Sequence, residues 1–488
     1  MPEITIEDIS VFCKRKGFVY PSSIIYGGMS GFWDYGPLGA ELFNNIKAHW
    51  WKYFTQDRED MVGIDASIIS HPRTWKASGH IESFSDVAIT CKKCKKVNKV
   101  DKADVGKVAC DFCSGELDVS TAKELKLLFS TEVGSADNKQ IAYLRGETAQ
   151  GMFLDFKLIS ETARVKLPFG IAQIGKCFRN EIAPRDFIFR SREFTIGEFE
   201  FFIHPDEKKC GILDKERLDV ELRLLDAETQ EKGETELKKT TIGKMLKEKR
   251  MEEWHAYWLA EQLLWFKSLG VDENKLKIRE HKKSELSHYS SATFDIDYEY
   301  PFGSKEVAGN ANRGQYDLNQ HIKESKEKLE VFDESTKQKI IPRVIEPTFG
   351  MDRVFLAVLT GAYNDDKERG NIVLKLPPKI APVKVGVFSL VNKLNDEARK
   401  VYELLRREFT CQFDSSGSVG RRYARADELG IPYCITVDFD TLKDNTVTIR
   451  DRDTTSQIRV EVPKLKEVIL SFIDGRIKFS SAGKLISD

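Results

Sequence analysis

The stretch Gln173–His204 reads QIGKCFRNEIAPRDFIFRSREFTIGEFEFFIH, and it limits what the chain can fold into more than any other segment. Two apolar arms flank a loop in which Pro184 and Asp186 supply turn chemistry, so the pattern predicts an antiparallel strand pair. The return arm alternates. Phe194, Ile196, Glu198, Glu200 and Phe202 fall on one parity; Thr195, Gly197, Phe199, Phe201 and Ile203 fall on the other. A strand that seats two glutamates among phenylalanines is not an ordinary half-buried strand. Its carboxylates must face a polar cavity or find partners, because an unpaired buried charge is strongly disfavoured. Arg179, Arg185, Arg190 and Arg192 crowd the loop and its shoulders. Arginine forks grip phosphate oxygens bidentately, so a nucleotide triphosphate site on a sheet surface accounts for arginine, glutamate and aromatic residues together. The plain alternative is a hairpin with a solvated basic loop.

Further segments carry a resemblance. FRNE (178–181), a variable loop and FRSREF (189–194) resemble motif 2 of the class II aminoacyl-tRNA synthetases, in wording similar to the glycyl-tRNA synthetase family. YGGMSGFWDYGPLG (26–39) is glycine-rich but lacks GK[ST], so it is not a P-loop. Leu42, Phe43, Ile46, Trp50 and Phe54 follow at helical spacing; the segment resembles motif 1, a long helix at a dimer interface, with Pro37 as its proline. GIDASIISHPRTWKASGH (63–80) ends as the family's stretch does, and His71 and His80 read as ordinary hydrogen-bonding histidines. LRGETAQG (144–151) resembles the family's LRPETAQG, with Gly146 in place of the proline. TFDIDYEYPFG (293–303) is similar to the family's YDIEYEFPFG. VIEPTFGMDRVFLAV (344–358) resembles motif 3, with Thr348 where the family commonly has serine. There Arg353 opens an apolar helix, and a helix N-terminus with an arginine is a natural triphosphate seat.

Cys91-x2-Cys94, fifteen residues, then Cys110-x2-Cys113 has the spacing of a four-cysteine structural zinc site, with redox pairs or relic ligands as the alternatives. Lys92, Lys93, Lys95 and Lys96 are expected to lower the thiol pKa. Residues 206–250 are dense in lysine and glutamate and predict a solvated, mainly helical insertion. Trp254, Trp258, Leu263, Trp265 and Phe266 then predict an apolar helix ending near Gly270, a core stripe rather than a base-stacking platform. LPPKIAP (376–382) is a stiff linker, beyond which strands and helices alternate. Helices are expected over 395–409 and 421–430, and strands over 383–390, 433–437, 446–450 and 457–460. This α/β unit resembles the class IIa anticodon-binding domain, and Arg421, Arg422, Arg425, Arg450 and Arg452 are read as its tRNA-binding basic patch.

Composition adds bounds. Across 488 residues, 31% are charged yet the net charge is −1, so no global basic field marks nucleic acid and RNA contacts must be local. No run approaches the ~20 apolar residues of a membrane span. Nine cysteines are too few for a disulfide scaffold, which points to a reducing, cytoplasmic setting.

The resemblance covers nearly the whole chain. It implies an α+β class II catalytic domain over 1–375, with a zinc-knuckle insertion at 88–120 and a charged helical insertion at about 205–285, plus an anticodon-binding domain over 380–488. It implies an ATP- and Mg²⁺-dependent glycine–tRNA ligase of translation, homodimeric, with glycine, ATP and tRNA(Gly) as partners. Arg179, Glu181 and Arg353 are its implied catalytic residues. The implied ATP site adds Asn180, Phe189, Arg190, Arg192, Phe194, Glu306, Val307, Gly350 and Asp352, with Glu306 also meeting Mg²⁺. Glu147, Glu198, Glu346 and Thr348 are the implied glycine-binding set. The rivals are a class IIa synthetase of another specificity, which should lack the acidic trio, and a non-catalytic nucleic-acid-binding relative, which should have lost Arg179 or Arg353.

Overall fold

The computed structural model describes residues 4–100, 104–135, 137–287, 290–334 and 336–486. Thr5 with Asp8 as a capping box and Gly17 as a stop predict a short amphipathic helix within residues 1–20; residues 1–3 of that stretch and 101–103 of the expected knuckle insertion lie outside the described residues. That helix, α1 (Ile6–Lys16), starts at a Thr5–Asp8 capping box and stops at Gly17, whose φ of 84° is the left-handed C-cap a glycine supplies without strain.

A nine-stranded, mainly antiparallel sheet forms the centre of the larger part of the chain. In chain order its strands are β1 (Met61–Gly63), β2 (Phe169–Phe178), β3 (Glu193–Ile203), β4 (Glu221–Leu225), β5 (Lys238–Thr241), β6 (Leu276–Glu280), β7 (Ala292–Tyr300), β8 (Gly303–Gly314) and β9 (Arg343–Gly350). Across the sheet they run β5-β4-β6-β7-β8-β9-β3-β2-β1. The motif 2 arms are thus β2 and β3. Their register sets Glu198 beside Gln173 on one side and beside Thr348 of β9 on the other.

The period-two alternation of β3 sends its two kinds of side chain to opposite faces. Phe199 and Phe201 pack beneath the sheet on helices α2 (Pro37–Trp51) and α4 (Glu253–Ser268). Ring centroids lie 4.6 Å apart for Phe199–Trp258, 5.1 Å for Phe54–Phe349 and 5.1 Å for Trp265–Phe349. Each such buried ring contributes roughly 1.5–3 kcal/mol. The expected tryptophan stripe is therefore core. The glutamates face the other way, and α3 (Ala149–Thr162) closes that side at its end, with Phe156 4.3 Å from Phe202.

The charged insertion differs from its expected helical form. Residues 206–250 supply β4 and β5, which with β6 extend the main sheet, while the helices of that stretch are short: Lys215–Leu218, Ala227–Glu231 and Ile242–Lys247. Buried Leu222, Leu224, Ile242 and Met245 give it an apolar side that its lysines and glutamates conceal in the composition.

Beyond the linker, a six-stranded sheet carries the helices Asn395–Leu405, Val419–Leu429 and Leu465–Ile473. The first stops at Leu405 rather than Phe409. Among the described residues no helix is long and apolar enough to cross a membrane.

Candidate active site

The motif 2 loop and the start of α5 (Met351–Ala362) bring the expected triphosphate residues into one region. The Arg179 guanidinium sits between two rings, 5.3 Å from Phe84 and 5.3 Å from Phe194, and its Nε donates to the Gly146 carbonyl at 3.0 Å. Glu181 accepts from Arg190 Nε at 2.8 Å, and its carbonyl accepts from Arg192 Nε at 3.1 Å. Arg192 also donates to the Ser30 carbonyl at 2.8 Å, which ties the glycine-rich loop to the hairpin. Asn180 donates its backbone N–H to the Leu127 carbonyl at 2.8 Å.

Arg353 lies 4.5 Å over the Phe189 ring and reaches Glu306 Oε2 at 3.1 Å. The Glu306 side chain stays half-exposed. Val307 is buried beneath it. Gly350 gives Arg353 room, since an added Cβ would stand 3.0 Å from the arginine Cδ. Asp352, expected at ATP, is buried and bound elsewhere: Tyr35 donates its hydroxyl at 2.6 Å and Thr195 its N–H at 2.5 Å. Burial raises its carboxyl above the usual range, against the lowering pull of Lys176 and these bonds.

The polar face of β3 and β9 forms a second, acidic pocket beside this one. Glu198 accepts from the Thr148 and Thr348 hydroxyls, at 2.5 Å and 2.8 Å. Thr148, which precedes α3, spends its hydroxyl on this carboxylate rather than on capping the helix. Glu346 accepts from Arg313 at 2.6 Å, while Arg313 grips Asp317 with two bonds of 2.7 and 2.8 Å. Glu147 meets His80 Nε2 at 3.1 Å and Gln150 Nε2 at 2.9 Å. Burial works to raise the Glu147 carboxyl, but His80, Arg313 and Gln150 together hold it far below the usual carboxylate range. Glu198 is raised, by burial first and then by the charge of Glu147, with the two threonines opposing. Four carboxylates, those of Glu147, Glu198, Glu346 and Asp317, thus lie within the influence of one arginine, Arg313, which bonds the last two directly. The excess negative charge suits an ammonium group.

An anticodon-binding domain family model matches residues 384–472. The glycine–tRNA ligase of Acetivibrio thermocellus is 42% identical over 505 aligned positions, covering 97% of this chain and 99% of its own length. Those of Geobacillus thermodenitrificans and Borreliella burgdorferi are 41% and 40% identical, covering 97% and 96% of this chain and 98% and 97% of their own. The chain belongs to the glycine–tRNA ligase family.

Within that family frame the cysteine insertion is a well-formed knuckle. It rests on a three-stranded sheet of Ser85–Cys91, Val97–Val100 and Leu117–Lys126. The four sulfurs lie within 4.8 Å of one another, with Cys91–Cys113 and Cys94–Cys110 each 3.6 Å apart. Tetrahedral thiolates around zinc, with Zn–S near ~2.3 Å, stand at about that separation. Backbone N–H groups of Lys93 and Cys94 point at the Cys91 sulfur at 3.3 and 3.5 Å, and that of Phe112 at the Cys110 sulfur at 3.4 Å. These amides, more than the lysines, favour thiolate: Lys92 pairs with Glu116 and Lys96 lies over the Phe112 ring. The donor set fits zinc.

The five arginines of the anticodon-binding region do not form one surface patch. Arg422, Arg450 and Arg452 are buried. Arg450 makes a bidentate bond to Asp427 at 2.8 and 3.0 Å, Arg452 binds the Gly430 and Leu376 carbonyls at 2.9 and 2.8 Å, and Arg422 binds the Ser415 and Gly417 carbonyls at 3.0 and 2.6 Å. Arg421 is exposed, and Arg425 is partly exposed while bonded to Asp414 at 2.6 Å. Spacing on a helix or strand does not reveal which charges a fold turns inward.

Sequence reasoning also missed Arg145, Arg313 and Asp317. Arg145 is buried, binding the Ala66 and Lys176 carbonyls at 2.7 Å each, and Gly175 leaves room for it: an added Cβ would lie 2.0 Å from its Nη2. Arg313 sits where the β8–β9 register shifts, so strand alternation gave no signal for it. His71 and His80 take the hydrogen-bonding roles expected of them: His71 accepts from the Arg73 N–H at 3.1 Å, and His80 Nδ1 meets Ser78 Oγ at 2.8 Å.

Proposed function

We propose that this chain is a glycine–tRNA ligase, which activates glycine with ATP to glycyl-adenylate and transfers the glycyl group to the 3′ end of tRNA(Gly). The observation that carries the reading is the acidic pocket of Glu147, Glu198 and Glu346 beside an arginine- and phenylalanine-lined region. A glycine carboxylate oxygen attacks the α-phosphorus of ATP and pyrophosphate leaves. A terminal ribose hydroxyl of the tRNA then attacks the glycyl carbonyl and AMP leaves. The protein's task is positioning and charge stabilisation more than proton transfer.

In this reading Arg179 grips the α-phosphate as charge builds there, Phe194 stacks on adenine, and Glu181 with Asn180 meets the base edge. Arg190 and Arg353 hold the outer phosphates, Arg192 fixes the loop, and Phe189, Val307, Gly350 and Asp352 shape and support the pocket. Glu306 would help hold the Mg²⁺ carried with ATP, which would supply positive charge against that of the phosphates. The glutamates take the glycine ammonium, and Thr348 narrows the space at the α-carbon. Excluding a larger amino acid by lack of room is physically easier than rejecting a smaller one, so no editing site is needed.

The remaining parts follow the same reading. The knuckle cysteines hold a structural zinc ion. Exposed Arg421 and partly exposed Arg425 offer tRNA contacts. The homodimer has candidate apolar surface in Ile25, Tyr26 and Met29, 83%, 87% and 57% exposed on the glycine-rich loop. A cytoplasmic setting agrees with nine cysteines none of which is in a disulfide. The test is amino-acid-dependent ATP–pyrophosphate exchange, with each amino acid in turn and with Arg179→Ala. Exchange with glycine alone, abolished by the substitution, is expected. Exchange with another amino acid would keep the class and sink the glycine assignment, and no exchange with any would favour the non-catalytic rival.

A further inference from the structure

Glu200 is the one member of the acidic face that the reaction as described does not use. It is fully buried on β3, and neither of its carboxylate oxygens has a hydrogen-bond partner. The β3–β9 register pairs Glu198 with Thr348 and Phe201 with Ile345, which sets Glu200 directly across from Glu346. Oxygens of Glu198, Glu200 and Glu346 lie within 4.8 Å of one another. Like charges facing each other on neighbouring strands repel, and in a dry interior nothing screens them.

The surroundings decide which of the three carries a proton. Glu198 has its two threonine donors and Glu346 has Arg313. Across the pocket, Glu147 is engaged by His80 and Gln150. On the helix Tyr316–Ser325, Asp317 is gripped by Arg313, and His321 Nε2 meets Gln150 Oε1 at 2.8 Å. Arg313 is therefore shared between two carboxylates, and no second cation reaches Glu200 among the described residues. Burial first, then Glu346, pushes the Glu200 carboxyl well above the usual range; Glu346 is raised too, by burial against the pull of Arg313.

We infer that Glu200 and Glu346 hold one proton between them in the glycine-free enzyme, and that the glycine ammonium displaces it, so that glycine binding releases a proton to solvent. This rests on the glycine pocket proposed above. The exchange balances at the carboxylates: the ammonium end of the glycine zwitterion brings one positive charge to them, and the departing proton takes one away to solvent. The device makes Glu200 a specificity residue. With the proton in place the pocket tolerates its crowded carboxylates, and only a group that brings a full positive charge into the trio can take the proton's place.

The test is the pH dependence of the glycine KM in ATP–pyrophosphate exchange between pH 6 and 8.5, using the full chain, with the ATP KM as internal control. As pH rises the glycine KM of the wild type is expected to fall, approaching tenfold per pH unit, while the ATP KM does not follow. Glu200→Gln mimics the protonated side chain, so it should fold with an unchanged melting temperature, show a flat glycine KM, and bind glycine roughly tenfold more weakly at the alkaline end. A second measurement needs no variant: glycine added to weakly buffered wild type with a pH indicator should release about one proton per site. A pH-independent glycine KM, no proton release, or a wild-type slope in Glu200→Gln would each overturn the inference while leaving glycine activation intact. Absence of glycine-dependent exchange would instead remove the reading beneath it.

Discussion

The Thr348 hydroxyl donates to Glu198 over 2.8 Å, from β9 to the adjacent strand β3, while Thr148 holds the other oxygen of the same carboxylate. Glu198 is thereby fixed at a position from which it can meet an ammonium group. A hydrogen bond to a charged group is worth about 1.5–3 kcal/mol. Thr348→Ala is expected to raise the glycine KM roughly tenfold or more and to let alanine support exchange, whereas Thr348→Ser should keep the bond and stay near wild type for glycine. The comparison of glycine- and alanine-dependent exchange in the two variants decides the matter. Equal behaviour of the two would assign no role to the hydroxyl.

The knuckle reaches the motif 2 loop through Asp111 and Arg185, 3.1 Å apart. Both side chains are well solvated, so this pair alone is worth little. The knuckle as a body matters more, because its sheet begins next to Phe84, whose ring flanks Arg179. Cys110→Ser should lower bound zinc from about one per chain, loosen residues 85–126 in hydrogen exchange and raise the ATP KM several-fold. Full amide protection of that segment without metal would show the fold to be independent of zinc.

Asp427, 2% exposed, joins Arg450 to Arg369 at 3.3 Å, and Arg369 lies in the hairpin that follows α5. The same arginine donates to the Arg452 carbonyl at 2.7 Å. These contacts set the anticodon-binding region against the rest of the chain. Arg369→Gln is expected to raise the tRNA KM about five- to tenfold and leave glycine-dependent exchange unchanged, since activation does not involve tRNA. A tRNA KM equal to wild type would make the contact structural only. Asp427→Ala should be harsher, by about 3–5 kcal/mol, because it strands buried Arg450 without a partner.

His255 is fully buried on α4, with Nε2 3.0 Å from the Asn310 carbonyl. Burial lowers its pKa from 6.5 to about 4. His49, half-buried, is lowered to about 4 as well, again mainly by burial. Between those limits the unfolded chain takes up protons that the folded chain refuses, so stability falls as pH drops from about 6.5 toward 4. For His255 the full effect is about 3 kcal/mol. Thermal melts from pH 7.5 to 5 should show a declining midpoint, and a shallower decline in His255→Gln. Parallel slopes would assign the acid sensitivity to other groups.

The sequence by itself determined what depends on near neighbours. Alternation along 193–203 sorted phenylalanines from glutamates, the Thr5–Asp8 and Gly17 signals bounded α1, and paired cysteines on tight turns specified a knuckle. These are consequences of backbone period, capping geometry and turn chemistry, all read within a few residues. The tertiary structure decided which distant partners each charge meets. Thr348 is 150 residues from Glu198, Glu346 is 33 from Arg313, and Tyr35 is 317 from Asp352. It turned Arg422, Arg450 and Arg452 inward, and it drew the lysine-rich insertion into the main sheet. A charged side chain carries the same formal charge in solvent, in an ion pair or alone in the interior. Which of these it occupies follows from desolvation and from the partner that strand register brings alongside, and neither is written in its own segment.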